Sequence, residues 1–510
     1  METKITFSDR VASGIENVRE RPLVKAINTF MATPKGVMLI ALLTVLAHIF
    51  SLEIVLYILT LLYCIYVSIC GDDFLTLAPL CVFCYIAPSR ENNPGRNNES
   101  LFSGATGVFL LIGVAIFLIC FLLRIGFDRN MGFKKLLTHK RALLWGMLAL
   151  GLAYLLSGLF SEHYHAIWIK NIGFGLLEFV TVFALYFLLT ALVDWTKVRK
   201  DYFAWIAFLA GCVIALEVFN LYFFHFDNLF QDLAEGDRWN RWQIYLGWGM
   251  HNNIGAMLAV TSPFACYLAS RHKHGYAFIF PAIGIMVALF MTLSRTSILV
   301  GLVIFVVSFV IMLFKAFRRR ILLITGGGLL VAGTVLLIVF WSDLVSVVRD
   351  IFDNGFLDTS GRGSLYTAGL KVFVKNPIFG EGFYPSDMST FNTAYWLIGS
   401  EMTSFLPPRW HDTVVQLLAS CGLLGLLAYG FHRVQTVLMI LRGITLEKIF
   451  IGLALVAFLG MSLLDNHFFN LGPTLLYSMA LAFAEKSREQ KEIGIPAQLS
   501  GGEPTLEGAA

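Results

Sequence analysis

Residues 295–320 read RTSILVGLVIFVVSFVIMLFKAFRRR. The uncharged stretch 296–314 separates Arg295 from Lys315 and the arginines at 318–320. A membrane-spanning helix needs about 20 mostly apolar residues. Loops on the cytoplasmic side collect Lys and Arg. The segment therefore reads as a span whose inner end is anchored by the cluster 315–320, and whose outer end starts at an arginine. The whole chain agrees with this reading. Of its 510 residues, 57% are hydrophobic and 14% charged, against roughly 25% charged in soluble domains. That excludes a cytosolic or secreted enzyme, a disordered chain and a coiled coil. The net charge of +4, without a basic stripe interleaved with aromatics, argues against nucleic acid as a partner.

The fold class expected is an all-α, polytopic integral membrane protein of about 12–14 transmembrane helices. Apolar runs lie near 36–52, 53–70, 74–88, 105–124, 142–160, 172–193, 203–224, 253–270, 275–293, 295–315, 321–341, 412–431, 448–464 and 468–484. No cleavable signal peptide is expected, because the first ~35 residues are mixed and charged. With the N-terminus inside and the spans alternating, roughly 27 of the 38 Lys and Arg fall on the cytoplasmic side, Arg433 among them. The expected organisation is a cytoplasmic segment 1–35, a transmembrane bundle 36–341 and a large extracytoplasmic loop 342–411. Helices in 412–485 and a cytoplasmic, disordered tail 486–510 complete it. Within the large loop, 362–375 (RGSLYTAGLKVFVK) carries apolar residues at helical spacing and reads as an amphipathic helix on the outer surface. The eight cysteines lie in or beside apolar runs. Cys81 and Cys84 have CxxC spacing but no second pair or histidines nearby, so they read as apolar side chains one turn apart.

Charged residues near membrane depth are functional candidates, and on this topology several gather on the outer side. Arg295 sits in a tight turn between two spans, where a positive charge opposes the topological bias; the alternative is an interfacial anchor. Arg362 lies between Gly361 and Gly363 at the start of the amphipathic helix, where backbone and helix N-terminus favour an anion. His411 begins a span and can act as a base. Asp465 lies where a span emerges; a hydrated helix end is the plainer reading. His251 and Asn252 begin another span and, with Arg241 in the preceding outer segment 225–252, are candidates for touching substrate. Guanidinium groups match phosphate oxygens, and a histidine oriented by a carboxylate makes a general base. The set suggests phosphate chemistry with a hydroxyl nucleophile. His163 and His165 are too sparse for a metal site. No metal site and no cofactor is expected, and two arginines could stabilise a departing diphosphate. Glu178 and Glu217, inside spans, read as structural.

These residues resemble a known family. His411-Asp412, nine residues, then Gly422-Leu-Leu-Gly425 resembles the His-[Asn/Ser/Gln]-x9-Gly-x-x-Gly motif of the bacterial O-antigen ligases, with Asp412 in place of the usual second residue. Ser294-Arg295-Thr296 looks like that family's first essential arginine. Ser360-Gly-Arg362-Gly-Ser-Leu-Tyr366, followed by Asn376-Pro-Ile-Phe-Gly-Glu-Gly-Phe383, looks like its second arginine region and Gly-x-Gly stretch. Asp465 aligns with its late acidic position. The resemblance covers roughly residues 250–470; the N-terminal half is similar only in hydropathy.

The resemblance implies a GT-C-type, metal-independent, inverting glycosyltransferase of the bacterial plasma (inner) membrane, with both termini cytoplasmic. It implies an undecaprenyl-diphosphate-linked glycan as donor and a lipid A core sugar hydroxyl as acceptor, joined on the outer face. His411 would take the acceptor proton, Arg295 and Arg362 would hold the diphosphate, and Asp465 would orient His411 or the acceptor. Related polysaccharide polymerases and protein O-oligosaccharyltransferases leave the acceptor open. A transporter or flippase of lipid-linked glycan is the rival from another class. It would string charges across the bilayer, whereas these charges cluster on one face.

Overall fold

The structure, a computed structural model, describes residues 13–14, 16–88, 104–127, 133–162, 164–224, 244–315, 319–328, 362–384 and 409–491. Arg241, Asp237, Arg238, His163, the polar segment 89–103, most of the run 321–341, the loop parts 342–361 and 385–408, and the tail from 492 lie outside the described residues.

The chain is an all-α polytopic membrane protein. Seven described helices are long and apolar enough to cross a bilayer: Glu53–Cys70, Gly107–Phe127, Trp168–Leu192, Tyr202–Phe224, His251–Arg271, Arg295–Lys315 and Thr413–Leu441. Pro22–Met31 and Pro34–Phe50 bend by 76° and make an eighth if taken as one span. Leu446–Ser462 and Leu471–Lys486, of 17 and 16 residues, complete the C-terminal part. Three of the apolar runs hold shorter helices than their length suggests: Leu77–Ile86, Leu144–Leu155, and Ile279–Met291 after a 3-10 turn. Polar groups shorten the first, where Asp73 Oδ1 accepts from the Leu75 amide and turns the chain. The helix expected in the large loop is present as Arg362–Lys375. Its Leu365, Ala368 and Val372 pack on Trp410, Val415 and Ala419.

His251–Arg271 is the core of the bundle: 94% of its most apolar stretch is buried. Small residues make that possible, as in membrane bundles generally. A Cβ at Gly255 would meet Ser297 at 2.7 Å, and one at Gly301 would meet Ala259 at 3.1 Å. Arg295–Lys315 thus lies tight along the core helix. Pro263 removes one backbone donor from that helix, and Ser262 Oγ donates instead to the freed Ala259 carbonyl at 3.0 Å. The consequence for the site is registration: the close crossing sets Ser294 and Arg295 beside the first turn of the core helix.

The second organising feature is a break. Thr413–Leu441 is interrupted at Gly422, with φ 64° and ψ −158°. A broken helix in a bilayer leaves amides and carbonyls that water cannot reach. Here the segment 376–384 supplies the partners. The amides of Glu381 and Gly382 donate to the carbonyls of Ala419 and Ser420 (2.8 and 3.0 Å), and those of Leu423 and Leu424 donate to Pro377 and Ile378 (2.8 and 3.2 Å). Asn376 Nδ2 ties this segment to the Leu159 carbonyl, and the Tyr384 amide donates to Asn171 Oδ1. Phe383 is seated against Tyr154, Phe174 and Phe469. The Gly-x-Gly stretch and the Gly-x-x-Gly motif are therefore two halves of one backbone joint.

Gly380→Ala and Gly422→Ala should each destabilise the protein. A left-handed alanine alone costs roughly 1–2 kcal/mol. The added Cβ would also lie 2.4 Å from the Ser420 carbonyl carbon or the Ile378 carbonyl oxygen. Gly430→Ala meets nothing within 4 Å and should leave stability unchanged or raised. Thermal unfolding of the detergent-purified variants checks this; equal midpoints for Gly422→Ala and Gly430→Ala would refute the joint.

Candidate active site

Asp465 occupies the turn between Leu446–Ser462 and Leu471–Lys486, and it is the hub of the site. Its Oδ1 lies 3.1 Å from His411 Nδ1 and accepts from the Asn466 amide at 2.7 Å. Its Oδ2 accepts from Arg362 Nη2 at 3.3 Å and Asn252 Nδ2 at 3.0 Å. Arg362 Nη1 donates to the Leu464 carbonyl, so its guanidinium grips this turn twice. The Asp465 side chain is 10% exposed, against 23% for Arg362 and 27% for His411. The carboxylate is the floor of the site, and the two cation-capable groups form its opening.

Each partner is positioned by its own local structure. Arg362 is the first residue of the amphipathic helix. Tyr366, one turn on, donates from its hydroxyl to the His411 carbonyl at 3.2 Å. His411 itself has φ 54°, rare for a residue with a side chain. The next residue, Asp412, caps the helix by accepting from the Val415 amide at 2.8 Å. Gln416 Oε1 accepts from the Trp410 amide and from Asn466 Nδ2, tying the segment before the histidine to the aspartate's turn. Asn252 Oδ1 accepts from Ser294 Oγ at 2.9 Å, and Ser294 also bonds Ser297 Oγ at 2.9 Å. Through Ser294 the half-buried Arg295 is set one residue from this network.

The electrostatics follow from the contacts. Burial pushes the Asp465 carboxyl up. The His411 hydrogen bond and the nearby His467, His411 and Arg362 outweigh it and hold the carboxyl far below the usual range. Burial lowers His467, against the pull of Asp465. Burial raises Asp412, although it caps a helix. An ionised carboxylate can only accept, so His411 Nδ1 carries the hydrogen. In the neutral ring Nε2 then keeps its lone pair, and the residue can act as a base.

The structure thus brings together His411, Asp465, Arg362 and Asn252, with Arg295 alongside. His251 is buried at the start of the core helix, and Asp412 is committed to its cap. Arg241 lies outside the described residues. Glu217 accepts from Trp248 Nε1 at 3.0 Å, which secures the short hairpin preceding His251. Sequence reasoning missed a second branch: Arg409 Nη1 donates to Asn470 Oδ1, and Asn470 Nδ2 to Asn253 Oδ1 at 3.0 Å. Polar amides in apolar runs were the available signal.

Residues 280–430 match the family model described as O-Antigen ligase. That part of the chain is similar to the O-antigen ligase family, which supports a membrane enzyme of the O-antigen ligase or polymerase type. The matched residues hold Arg295, Arg362, His411 and Asp412 but stop short of Asp465, and they are fewer than the 250–470 over which the resemblance was read. No curated protein matches the chain.

One placement differs from expectation. Arg433, counted above with the inner-loop charges, lies inside Thr413–Leu441. Its guanidinium is 4.4 Å from the Tyr429 ring, 4.8 Å from Tyr477 and 5.0 Å from Phe468, and donates to the Tyr477 hydroxyl at 2.8 Å. Four aromatic rings lie close enough around it to make an apolar site tolerable for a cation. A run of like charges in the sequence does not reveal this.

Folding lowers the Asp465 pKa, so the carboxylate's contribution to stability is fully present above the unfolded value of about 3.9 and is lost as pH falls through and below it. Asp465→Asn should therefore unfold earlier than wild type by a margin that is steady from about pH 8 to 5 and shrinks in stronger acid. Unfolding midpoints across pH test this; a margin that grows in acid contradicts the assigned charge.

Proposed function

We propose that this protein transfers a glycan from undecaprenyl diphosphate to an acceptor sugar hydroxyl on the outer face of the bacterial plasma membrane, as an O-antigen ligase with a lipid A core acceptor. The observation that carries the reading is the His411 Nδ1–Asp465 Oδ1 contact of 3.1 Å, with Arg362 on the same carboxylate. His411 Nε2 removes the proton of the acceptor hydroxyl. The freed oxygen attacks the anomeric carbon opposite the diphosphate, a new C–O bond forms, and the bond to the diphosphate oxygen breaks with inversion. The electron pair leaves on the diphosphate, where Arg295 and Arg362 hold the developing charge. Asp465 keeps the imidazole in the tautomer that serves as base and stabilises the imidazolium that follows.

The charge balance supports this. Asp465 is answered by His411 and Arg362, while Arg295 and Arg409 add two further cations to the same face, so a dianionic leaving group enters a positive site. The whole constellation lies at one end of the bundle, which suits a one-sided reaction better than transport. Transfer without a divalent ion follows from arginines doing that work. Residues 280–430 serve a polymerase reading equally, in which a second lipid-linked glycan supplies the hydroxyl.

Reconstituted protein with labelled undecaprenyl-diphosphate glycan tests the proposal, with and without lipid A core. His411→Ala should lower transfer at least about 100-fold, the usual worth of a general base, at normal protein levels. Product should require the core acceptor; lengthened lipid-linked chains without it would make the enzyme a polymerase. EDTA should leave the rate unchanged. Full activity in His411→Ala, or inhibition by EDTA reversed by a divalent ion, would each overturn its part of the mechanism.

A further inference from the structure

The face opposite the active site holds a cavity that the transfer reaction does not use. The core helix starts at the site with Asn252 and ends at Arg271, roughly 30 Å away at 1.5 Å per residue. Beside its far end, a cavity of about 700 Å³ opens between the bent pair Pro22–Met31/Pro34–Phe50 and the segment carrying Arg199 and Trp205. The bend makes the opening. Pro22–Met31 bends by 76° from Pro34–Phe50 and is docked by Asn28, whose Nδ2 donates to the Cys70 carbonyl (2.9 Å) and Asp72 Oδ1 (3.0 Å). Tyr66 donates to the same side chain's oxygen.

We propose that this cavity binds one anionic phospholipid of the inner leaflet, its phosphodiester among the cations and an acyl chain along the apolar wall. Lys25, Lys35, Arg199 and His272 line it, and among the described residues no carboxylate does. Asp201 stands behind, fully buried, and orients the arginine: Oδ1 takes Nε at 2.9 Å and Oδ2 takes Nη2 at 2.7 Å. That leaves Nη1 as the guanidinium donor for a ligand. Trp205 Nε1 and His272 Nε2 approach Asp201 Oδ2 at 3.2 and 3.5 Å, so three walls of the cavity share one anchor. Among the described residues Lys25 pairs only with the exposed Glu20, an ion pair worth little. Lys35 has no carboxylate partner among the described residues.

The apolar side identifies a lipid over a free anion. Phe30, Met38 and Trp205 complete the lining, with Phe30 40% and Met38 48% exposed. An acyl chain would cover these accessible apolar side chains, whereas inorganic phosphate would gain nothing from them. A zwitterionic headgroup would set its own cation against Lys25 and Lys35. An acidic headgroup carries no such cation.

The test uses full-length protein in neutral detergent, with bound lipid counted by native mass spectrometry. Phosphatidylglycerol should bind with one tight site, and phosphatidylcholine about tenfold more weakly. Lys25→Ala/Lys35→Ala should weaken phosphatidylglycerol about tenfold and leave phosphatidylcholine unaffected; Lys35→Glu alone should act in the same direction. Lys315→Ala/Arg320→Ala removes two exposed cations elsewhere on this face and should change nothing. Excess inorganic phosphate should not displace the lipid. Equal binding of the two lipids, an equal loss in the Lys315/Arg320 control, or displacement by phosphate would each overturn the proposal.

Discussion

The break at Gly422 is the constraint on which the site depends. A continuous helix through Thr413–Leu441 would satisfy its own backbone and need no partner. The broken one exposes carbonyls at Ala419 and Ser420 and amides at Leu423 and Leu424 in a medium that offers no water. The segment 376–384 can meet all four only by lying across the break, with Gly380 and Gly422 in backbone contact. That draws the end of the amphipathic helix Arg362–Lys375 against the first turns of Thr413–Leu441, where Leu365, Val372 and Trp410 form a small separate core. Arg362 and His411, far apart in sequence, are thus delivered to one place by backbone hydrogen bonding between two glycine-containing segments.

At that place a buried carboxylate would be prohibitively unstable alone. Asp465 is retained because four donors from four different elements converge on it: His411, Arg362, Asn252 and the Asn466 amide. Arg362, His411 and Asn252 each carry the position of the element they belong to or precede, so the carboxylate registers the large loop, the core helix and the C-terminal hairpin against one another. Below the turn, Phe468 rests on the Arg433 guanidinium and stacks edge-on to Tyr429 at 5.2 Å. The turn carrying Asp465 is therefore held from above by charge and from below by aromatic packing.

Much of this was legible in the sequence, and the reasons for the rest are specific. Spans and the bounds of 362–375 follow from apolar length and helical spacing. Arg295 stands out because charge on the outer side opposes the topological bias, Arg362 because it lies between two glycines at a helix start, and His411 and Asp465 because they lie where spans begin and emerge on that side. Asn252 was singled out only as a possible substrate contact, because nothing local says that Gly255 and Gly301 bring its helix against Ser294. The bend after Met31 hides in an ordinary Thr33-Pro34 pair. Arg433 hides among loop charges, because two of the rings that cage it, Phe468 and Tyr477, come from a turn and a helix distant in sequence.

Two residues with side chains adopt left-handed backbone beside the site, Leu293 and His411. Such conformations cost on the order of 1–3 kcal/mol each and persist only where the surroundings over-determine them. Both stand at the point where a helix on the site side must begin abruptly: Leu293 before Ser294-Arg295, His411 before the Asp412 cap. A relaxed turn in either place would need more chain and would carry the arginine or the imidazole away from the Asp465 turn. The strain is offset by bonds that only this geometry allows, Ser294 to Asn252 on one side, and Asp465 to His411 with Tyr366 to the His411 carbonyl on the other. The two tight turns and the broken helix therefore serve one end: they let apolar helices, whose lengths are set by the bilayer, present short polar side chains to a common anion at the membrane surface.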